Sequence, residues 1–374
     1  MENVVIYLLG LLTGVLLFFV LFRFRDPMGS PLFSRSPRGR KASMAKAIEY
    51  RLSMGPFVVA LGGGTGLSTL LRGLKRFTRN IVAVVTVTDE GGSSGRLRQE
   101  WGVLPPGDVR NCIVALAEND NALKRILDFR FDRGDLAGHS LGNLMLLAVS
   151  EQFGDFRLAV EEMNHLLAIR GKVLPVTTES VTLVAETKTG ERARGELAIS
   201  ACGHEIERIW LEPRDAKPLP DVLRAIDQAE IILLGPGSLF TSVLPNLLLG
   251  KVAEKLRESS VPKVYVANLM TQPGETAGFS IVDHVRWIAA AMGVAPDYIV
   301  VNTGSIPAHL VEKYRREGAE PIFLNPGDGA RLEDLGCTVI SGDFVQIVDD
   351  TLVRHDSQAL SETIVRLCRE LKED

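Results

Sequence analysis

Several apolar runs in this sequence end in glycine-rich stretches whose residue types suit phosphate binding. The run Phe57 to Leu61 passes into Gly62-Gly63-Gly64-Thr65-Gly66, and a helical pattern starts near Leu67. Glycines at such a turn let the backbone bend sharply and approach a ligand, and the free N–H groups of a helix start attract an anion. The stretch is not a dinucleotide fingerprint, because Leu67 stands where the last glycine of G-x-G-x-x-G belongs. Nor is it a Walker A loop, because no Gly-Lys-Ser/Thr follows. A purely structural turn is the alternative.

The run Ile81 to Val87 ends at Thr88-Asp89, followed by Glu90-Gly91-Gly92-Ser93-Ser94-Gly95, Arg96 and Arg98. Asp89 stands at the carboxyl end of an expected parallel strand, where such sheets bind ligands, and is placed to hold a ribose hydroxyl or a metal. Ser93, Ser94 and Gly95 offer an anion hydroxyl and N–H donors, and Arg98 offers a bidentate phosphate contact. A flexible surface turn would use the same Gly and Ser residues. In Pro105-Pro106-Gly107-Asp108-Val109-Arg110-Asn111, Asp108 is expected as a helix N-cap. Arg110 and Asn111, in the first turn of a helix that buries Ile113, Val114 and Leu116, fit a ligand contact better. His139 and Asn143, in His139-Ser140-Leu141-Gly142-Asn143, open another apolar helix; His139 is read as a contact residue with no catalytic role.

The second half repeats this physics. Ile231 to Leu234 meets Gly235-Pro236-Gly237-Ser238, with Thr241 and Ser242 close behind and a helix after Pro245-Asn246. Lys263 to Ala267 leads into a polar stretch holding Asn268, Thr271, Glu275 and Thr276. Near the C-terminus Arg354 is placed to reach a diphosphate or to pack over a helix end, and Asp356 is expected to cap the last helix.

These residues need a scaffold of strands that end at one edge. Strands are expected at the four runs above and at Tyr298 to Val301 and Pro321 to Leu324. Helices are expected at Leu67 to Arg76, Val109 to Glu118, Leu141 to Phe153, Arg157 to Ile169, Leu219 to Ala229, Pro245 to Glu258, Val282 to Met292 and Ala308 to Glu317. Strand-helix alternation with fully apolar strands predicts an α/β fold with a mostly parallel sheet covered on both faces. Between Lys172 and Pro213 the period changes to two. Val181 to Thr187 and Arg194 to Ile199 then form an expected β-hairpin, with Ile206 to Leu211 as a third strand, in a small insertion over 172–213.

The N-terminus differs from the rest. Val4 to Phe22 is almost unbroken hydrocarbon, and at about 1.5 Å per helical residue it reaches across a bilayer core of about 30 Å. Basic residues follow it, from Arg23 and Arg25 to Lys46 and Arg51, against only Glu2 before it. The positive-inside rule therefore places the body in the cytoplasm. A cleaved signal would need a basic start and a small-residue cleavage site, and neither is present. The expected organisation is a single-pass transmembrane helix at 1–24, a basic juxtamembrane linker at 25–55 and one domain at 56–374.

The 374 residues carry a net charge of -4, with 46% hydrophobic and 24% charged side chains, a folded and not a nucleic-acid-binding balance. Cys112, Cys202, Cys337 and Cys368 lie far apart, without zinc-ligand or disulfide-framework spacing.

Together GGGTG at 62–66, TDEGGSSGRLR at 88–98, PPGDVRN at 105–111, HSLGN at 139–143, GPGSLFTS at 235–242, PN at 245–246, NLMTQPGET at 268–276 and VRHD at 353–356 resemble the gluconeogenesis factor family. The resemblance runs from Phe57 to the end. It implies a Rossmann-like, doubly wound fold, shared with the 2-phospho-L-lactate transferases of deazaflavin cofactor synthesis, and a nucleotide-diphosphate pocket at the sheet's carboxyl edge. Pocket candidates carried over are the glycines and Thr65, Asp89, Asn111, Gly237, Ser238 and Arg354. For the gluconeogenesis factor branch it implies binding of a UDP-sugar, UDP-N-acetylglucosamine above all, and a regulatory role in cell shape and wall synthesis during gluconeogenic growth. A cell-envelope synthesis protein is the expected partner, and a homo-oligomer the expected assembly. No cofactor is firmly implied; Mg²⁺, with Asp89 as ligand, belongs to the transferase alternative. A nicotinamide dehydrogenase would use Asp89 to read a ribose, but lacks the third fingerprint glycine.

Overall fold

Strand β1 (Val58–Gly62) is flanked by β2 (Ile81–Val85) on one side and, on the other, by β7 (Ile231–Leu234), far along the chain. These lie in the computed structural model, which describes residues 46–118, 122–202 and 206–373. Residues 51–374 form one compact unit; of the preceding unit, 1–50, the described residues 46–50 are helical. The expected membrane span at 4–22 lies outside the described residues, and among those described no helix is long and apolar enough to cross a membrane.

The remaining strands are β3 (Lys172–Pro175), β4 (Thr182–Thr187), β5 (Arg192–Arg194), β6 (Ile206–Glu212), β8 (Lys263–Val266), β9 (Tyr298–Asn302), β10 (Thr338–Gly342), β11 (Val345–Val348) and β12 (Leu352–His355). The main sheet has seven strands in the order β10-β9-β8-β7-β1-β2-β3, and every pairing within it is parallel. Among these strands the order matches a Rossmann-like arrangement: the chain winds outward one way through β2 and β3, then returns beside β1 and winds the other way. Val58, Val59, Ala60 and Leu61 are all fully buried. Because successive strand residues point to opposite faces, both faces of β1 are covered, as the apolar pattern requires.

Helices begin where their sequences offer caps. Ser140 accepts from the Asn143 N–H, Asp155 from Arg157 and Leu158, and Ser280 forms a reciprocal capping box with Asp283. Asp356 accepts from Gln358 and Ala359 at the start of the last helix, as expected.

Several expectations change. Pro321 to Leu324 is no strand: only Pro321 makes an isolated bridge, to Met270. The seventh strand is instead β10, whose residues are mostly half-exposed because it lies at the sheet edge, so it lacks an apolar run. Lys172–Pro175, expected inside the insertion, pairs with β2 in the parallel sheet. The insertion is a three-stranded antiparallel sheet in the order β5-β4-β6. Arg194 to Ile199 leaves the strand at Gly195, whose φ of 88° turns the chain into a short helix, Glu196–Ser200. Asp108 is not an N-cap. It is the second residue of the helix Gly107–Leu116, with Pro106 at the cap, and its carboxylate turns toward the first glycine loop.

Candidate functional site

The strand order reverses between β1 and β7, and both strands run directly into a glycine loop. In open parallel sheets the crevice beyond the strand ends at this reversal is where ligands bind. A cleft of about 410 Å³ occupies it. Gly63, Gly64, Thr65 and Gly66 line one wall, Gly237, Ser238 and Ser242 a second, and Asn268, Thr271, Tyr314 and Arg354 are among those that complete it.

The two loops touch. A Cβ on Gly66 would lie 2.5 Å from the Pro236 carbonyl oxygen, so only glycine permits this approach. Asn246, fully buried, donates to both the Gly62 and the Ser242 carbonyls, at 3.3 and 2.8 Å. Asn268 grips Gly237 from both ends, accepting from its N–H at 3.1 Å and donating to its carbonyl at 2.8 Å. Gln272 donates to the Ser238 hydroxyl at 2.6 Å. The helix Gly64–Leu74 starts at the cleft without a side-chain cap at Gly63; the Gly64 N–H meets the Asp108 carboxylate, and those of Thr65 and Gly66 are left for a ligand. Arg354 donates only to the carbonyl of Val353, at 3.2 Å, and forms no ion pair among the described residues. Beside it, burial pushes the His355 imidazole down to about 4, although its Nε2 contact with the Ala267 carbonyl at 3.1 Å opposes this; His355 is neutral at physiological pH.

A second polar group lies on the β2 side of the same loop. A Cβ on Gly63 would stand 2.4 Å from Asp108 Oδ2, which shows how closely that carboxylate is set against the backbone. Burial, then repulsion from Asp89, raises the Asp108 carboxyl to about 7. Glu196, from the insertion, accepts from the Glu90 N–H at 2.8 Å, and burial with the adjacent Asp89 raises its proton affinity too. Asp89 itself accepts from the Gly91 N–H at 2.8 Å. Behind this group, Asn143 donates to the Ser93 hydroxyl at 3.0 Å and Ser93 lies 2.9 Å from His139 Nδ1. Burial and the nearby Arg96 guanidinium lower the His139 proton affinity, so a neutral imidazole can accept the Ser93 hydroxyl proton.

The family model described as 2-phospho-L-lactate transferase CofD matches residues 58–345. The gluconeogenesis factor of Halalkalibacterium halodurans is 47% identical over 310 residues, 82% of this chain and 95% of that protein. The gluconeogenesis factor of Bacillus subtilis is 44% identical over 317 residues, 84% of this chain and 99% of that protein. The chain belongs to the CofD-like gluconeogenesis factor family. A crystal structure of a protein from Bacillus halodurans superposes with a TM-score of 0.79 at 46% identity, covering 82% of this chain and 98% of that one.

Within this gluconeogenesis factor fold the candidate residues separate by what they touch. The cleft collects Gly63, Gly64, Thr65, Gly66, Gly237, Ser238, Ser242, Asn268, Thr271 and Arg354, with Gly62 ending the strand beneath. Asp89, Ser93, Ser94, Asp108, His139 and Asn143 form or adjoin the second group; Ser94 accepts from the Gly107 N–H at 3.0 Å, and Gly95 packs on Glu90. Arg98 donates to the Val181 carbonyl and Arg110 pairs with Asp128 at 2.6 Å, so both guanidinium groups hold structure together. Asn111 is the fifth residue of the helix Gly107–Leu116, in its second turn and not its first, and lies outside the cleft lining. Thr241 and Ser200 both donate to Glu275, joining the second loop to the insertion, while Thr276 accepts from the Gln272 N–H. Tyr314 and His355 line the cleft without having been singled out. His355 lay within the VRHD motif, but Tyr314 comes from an ordinary amphipathic helix with no local signal. Asn246, also passed over, was visible as the polar residue after Pro245.

Proposed function

We propose that this chain is a ligand-binding regulator that takes a UDP-sugar, UDP-N-acetylglucosamine foremost, in the cleft between the two glycine loops. Its role is control of cell shape and wall synthesis during gluconeogenic growth, exerted at the membrane through residues 4–22 and an envelope-synthesis partner. The observation that carries the reading is the junction itself: two glycine loops at the switch point, a helix start without a side-chain cap and an arginine that has no carboxylate partner among the described residues. Backbone N–H groups and the Arg354 guanidinium suit a diphosphate, while Tyr314, Met270 and Pro273 offer apolar surface for a base or sugar. Isothermal titration calorimetry on residues 46–374 should show saturable UDP-N-acetylglucosamine binding. Absence of heat from micromolar to millimolar ligand rejects the reading.

The carboxylates beside the first loop favour a second reading, a transferase moving a phospholactate group from a nucleotide diphosphate donor to a deazaflavin-like alcohol. Mg²⁺ is held by one or two carboxylates together with substrate phosphates, so Asp89 and Asp108 fit it; among the described residues no group of three or more ligands is placed to cage a metal. When bound there, the ion would neutralise diphosphate charge. Incubation with donor, acceptor and Mg²⁺ decides this: failure to release nucleoside monophosphate excludes the transferase.

A further inference from the structure

The insertion carries an open sheet edge that the cleft does not use. In the order β5-β4-β6, strand β6 is outermost, and no strand of the described residues pairs with its far side. Arg208, Ile209 and Trp210 are consecutive, so their side chains alternate between the two faces of the sheet. All three nevertheless line one cavity of about 410 Å³. A cavity reached by consecutive strand residues follows the edge of the strand and not one of its faces. Its opposite wall is apolar and helical, with Leu247, Leu248, Ala290 and Trp287. Trp287 also borders a neighbouring cavity of about 750 Å³ that includes Ile206, at the start of β6, together with Lys188 and an Arg286 that pairs with Asp283 at 3.7 Å. Two compartments therefore lie along one unpaired strand.

The excess charge of the groove is positive and sits mainly in the first compartment, whose charged residues are Arg208 and Arg214. Arg214 stacks over the Trp210 ring at 4.8 Å, and neither Arg208 nor Arg214 has a carboxylate partner among the described residues. Natural proteins blunt a free edge because it templates another strand, and peptide-binding domains exploit the same property. Here the edge has an apolar wall for alternate side chains and unpaired guanidinium groups for acidic ones. We propose that β6 is a docking edge for an extended protein segment of alternating apolar and acidic residues, added as a fourth strand and antiparallel, as the pairings already in this sheet are. The N-terminal stretch of this chain is unsuited to the place, because its Arg25, Arg35, Arg38, Arg40 and Lys41 carry the same sign as Arg208 and Arg214.

The test uses full-length protein and a fluorescein-labelled peptide of four Glu-Val repeats, with four Lys-Val repeats as the charge-reversed control. Fluorescence anisotropy should show saturable binding of the acidic peptide alone. The double variant Arg208→Glu/Arg214→Glu should weaken it at least about tenfold while leaving UDP-N-acetylglucosamine binding unchanged, since several exposed charge contacts are reversed together. Two further peptides, N-methylated on the odd or on the even residues, each lose hydrogen bonding along one side only. One should lose binding and the other keep it, a difference that electrostatic adhesion would not produce; this comparison needs no protein variant, so it decides even if the double variant misfolds. No saturation up to millimolar peptide, equal binding of both charge types, or equal binding of both N-methylated peptides overturns the proposal. A dimer in sedimentation that the double variant dissociates also overturns it, by giving the edge to a second copy.

Discussion

On the β7 side of the loop Gly62–Gly66, polar groups line the cleft: a helix start without a side-chain cap, Ser242, and an Arg354 that donates to the neighbouring Val353 carbonyl and forms no ion pair among the described residues. On the β2 side the residue types are much the same, yet most are already engaged. Ser93 meets Asn143 and His139, Ser94 meets Gly107, and Arg110 meets Asp128. The difference teaches that residue type identifies neither region. What separates a binding wall from an internal hydrogen-bonded framework is whether the donors have been consumed, because a satisfied donor adds little to a ligand and costs stability when removed.

The largest expected effect tests the shared loop. Gly66→Ala sets a Cβ against the Pro236 carbonyl oxygen and forces the two loops apart. Overpacking of this kind costs about 1–3 kcal/mol, so UDP-N-acetylglucosamine affinity should fall by up to about a hundredfold. Unchanged affinity in a folded variant would show that the loop contact does not shape the cradle.

A matched pair of arginine substitutions breaks the comparison directly. Arg354→Ala should weaken ligand binding by roughly ten to a hundredfold, the worth of a charge-assisted contact of about 1.5–3 kcal/mol, with no change in the ligand-free melting temperature. Arg110→Ala should do the reverse, lowering stability by about 1–3 kcal/mol while affinity stays near wild type. If both variants lose binding and stability together, the two regions are one unit.

Truncation gives a similar magnitude, confined to stability. Leu52 is 1% exposed, its carbonyl accepts from the Arg79 N–H, and Asn80 donates to the Ser53 and Gly55 carbonyls. A fragment beginning at residue 57 should be less stable than one beginning at residue 46 by about 1.5–3 kcal/mol, the burial value of one leucine. Denaturant titration of both fragments measures this. Their ligand affinities should agree.

A pH scan also separates the two regions. His355 titrates near 4 in the folded protein, below its ordinary 6.5, so its contribution to stability is present above 6.5 and lost as pH falls toward 4. Asp108 titrates near 7, above its ordinary 3.8, so its contribution is present below 3.8 and lost as pH rises through 7. His355→Gln should flatten the acid side of the stability profile and Asp108→Asn the neutral side. Profiles that move together would mean that the two groups do not titrate independently.

The strands around the site were legible because burial on both faces demands continuous apolar runs, as at Val58 to Leu61 and Ile231 to Leu234. Edge strand β10 was not, because half-exposed residues need no such run. The glycine loops were legible through composition and position, and Asn268 through its place after β8. Tyr314 and Glu196 were not, since each reaches its site from an element with no motif of its own.

The sequence by itself determined the local rules: where strands must end, where backbone must turn with glycine, and that the chain carries the motif series of its family. Only the tertiary structure decided that β7 returns beside β1, which brings two loops about 170 residues apart in sequence into one cleft. It also decided which polar groups face that cleft and which face each other. Hydrogen-bond satisfaction depends on neighbours supplied by distant parts of the chain, and local sequence patterning carries no record of them.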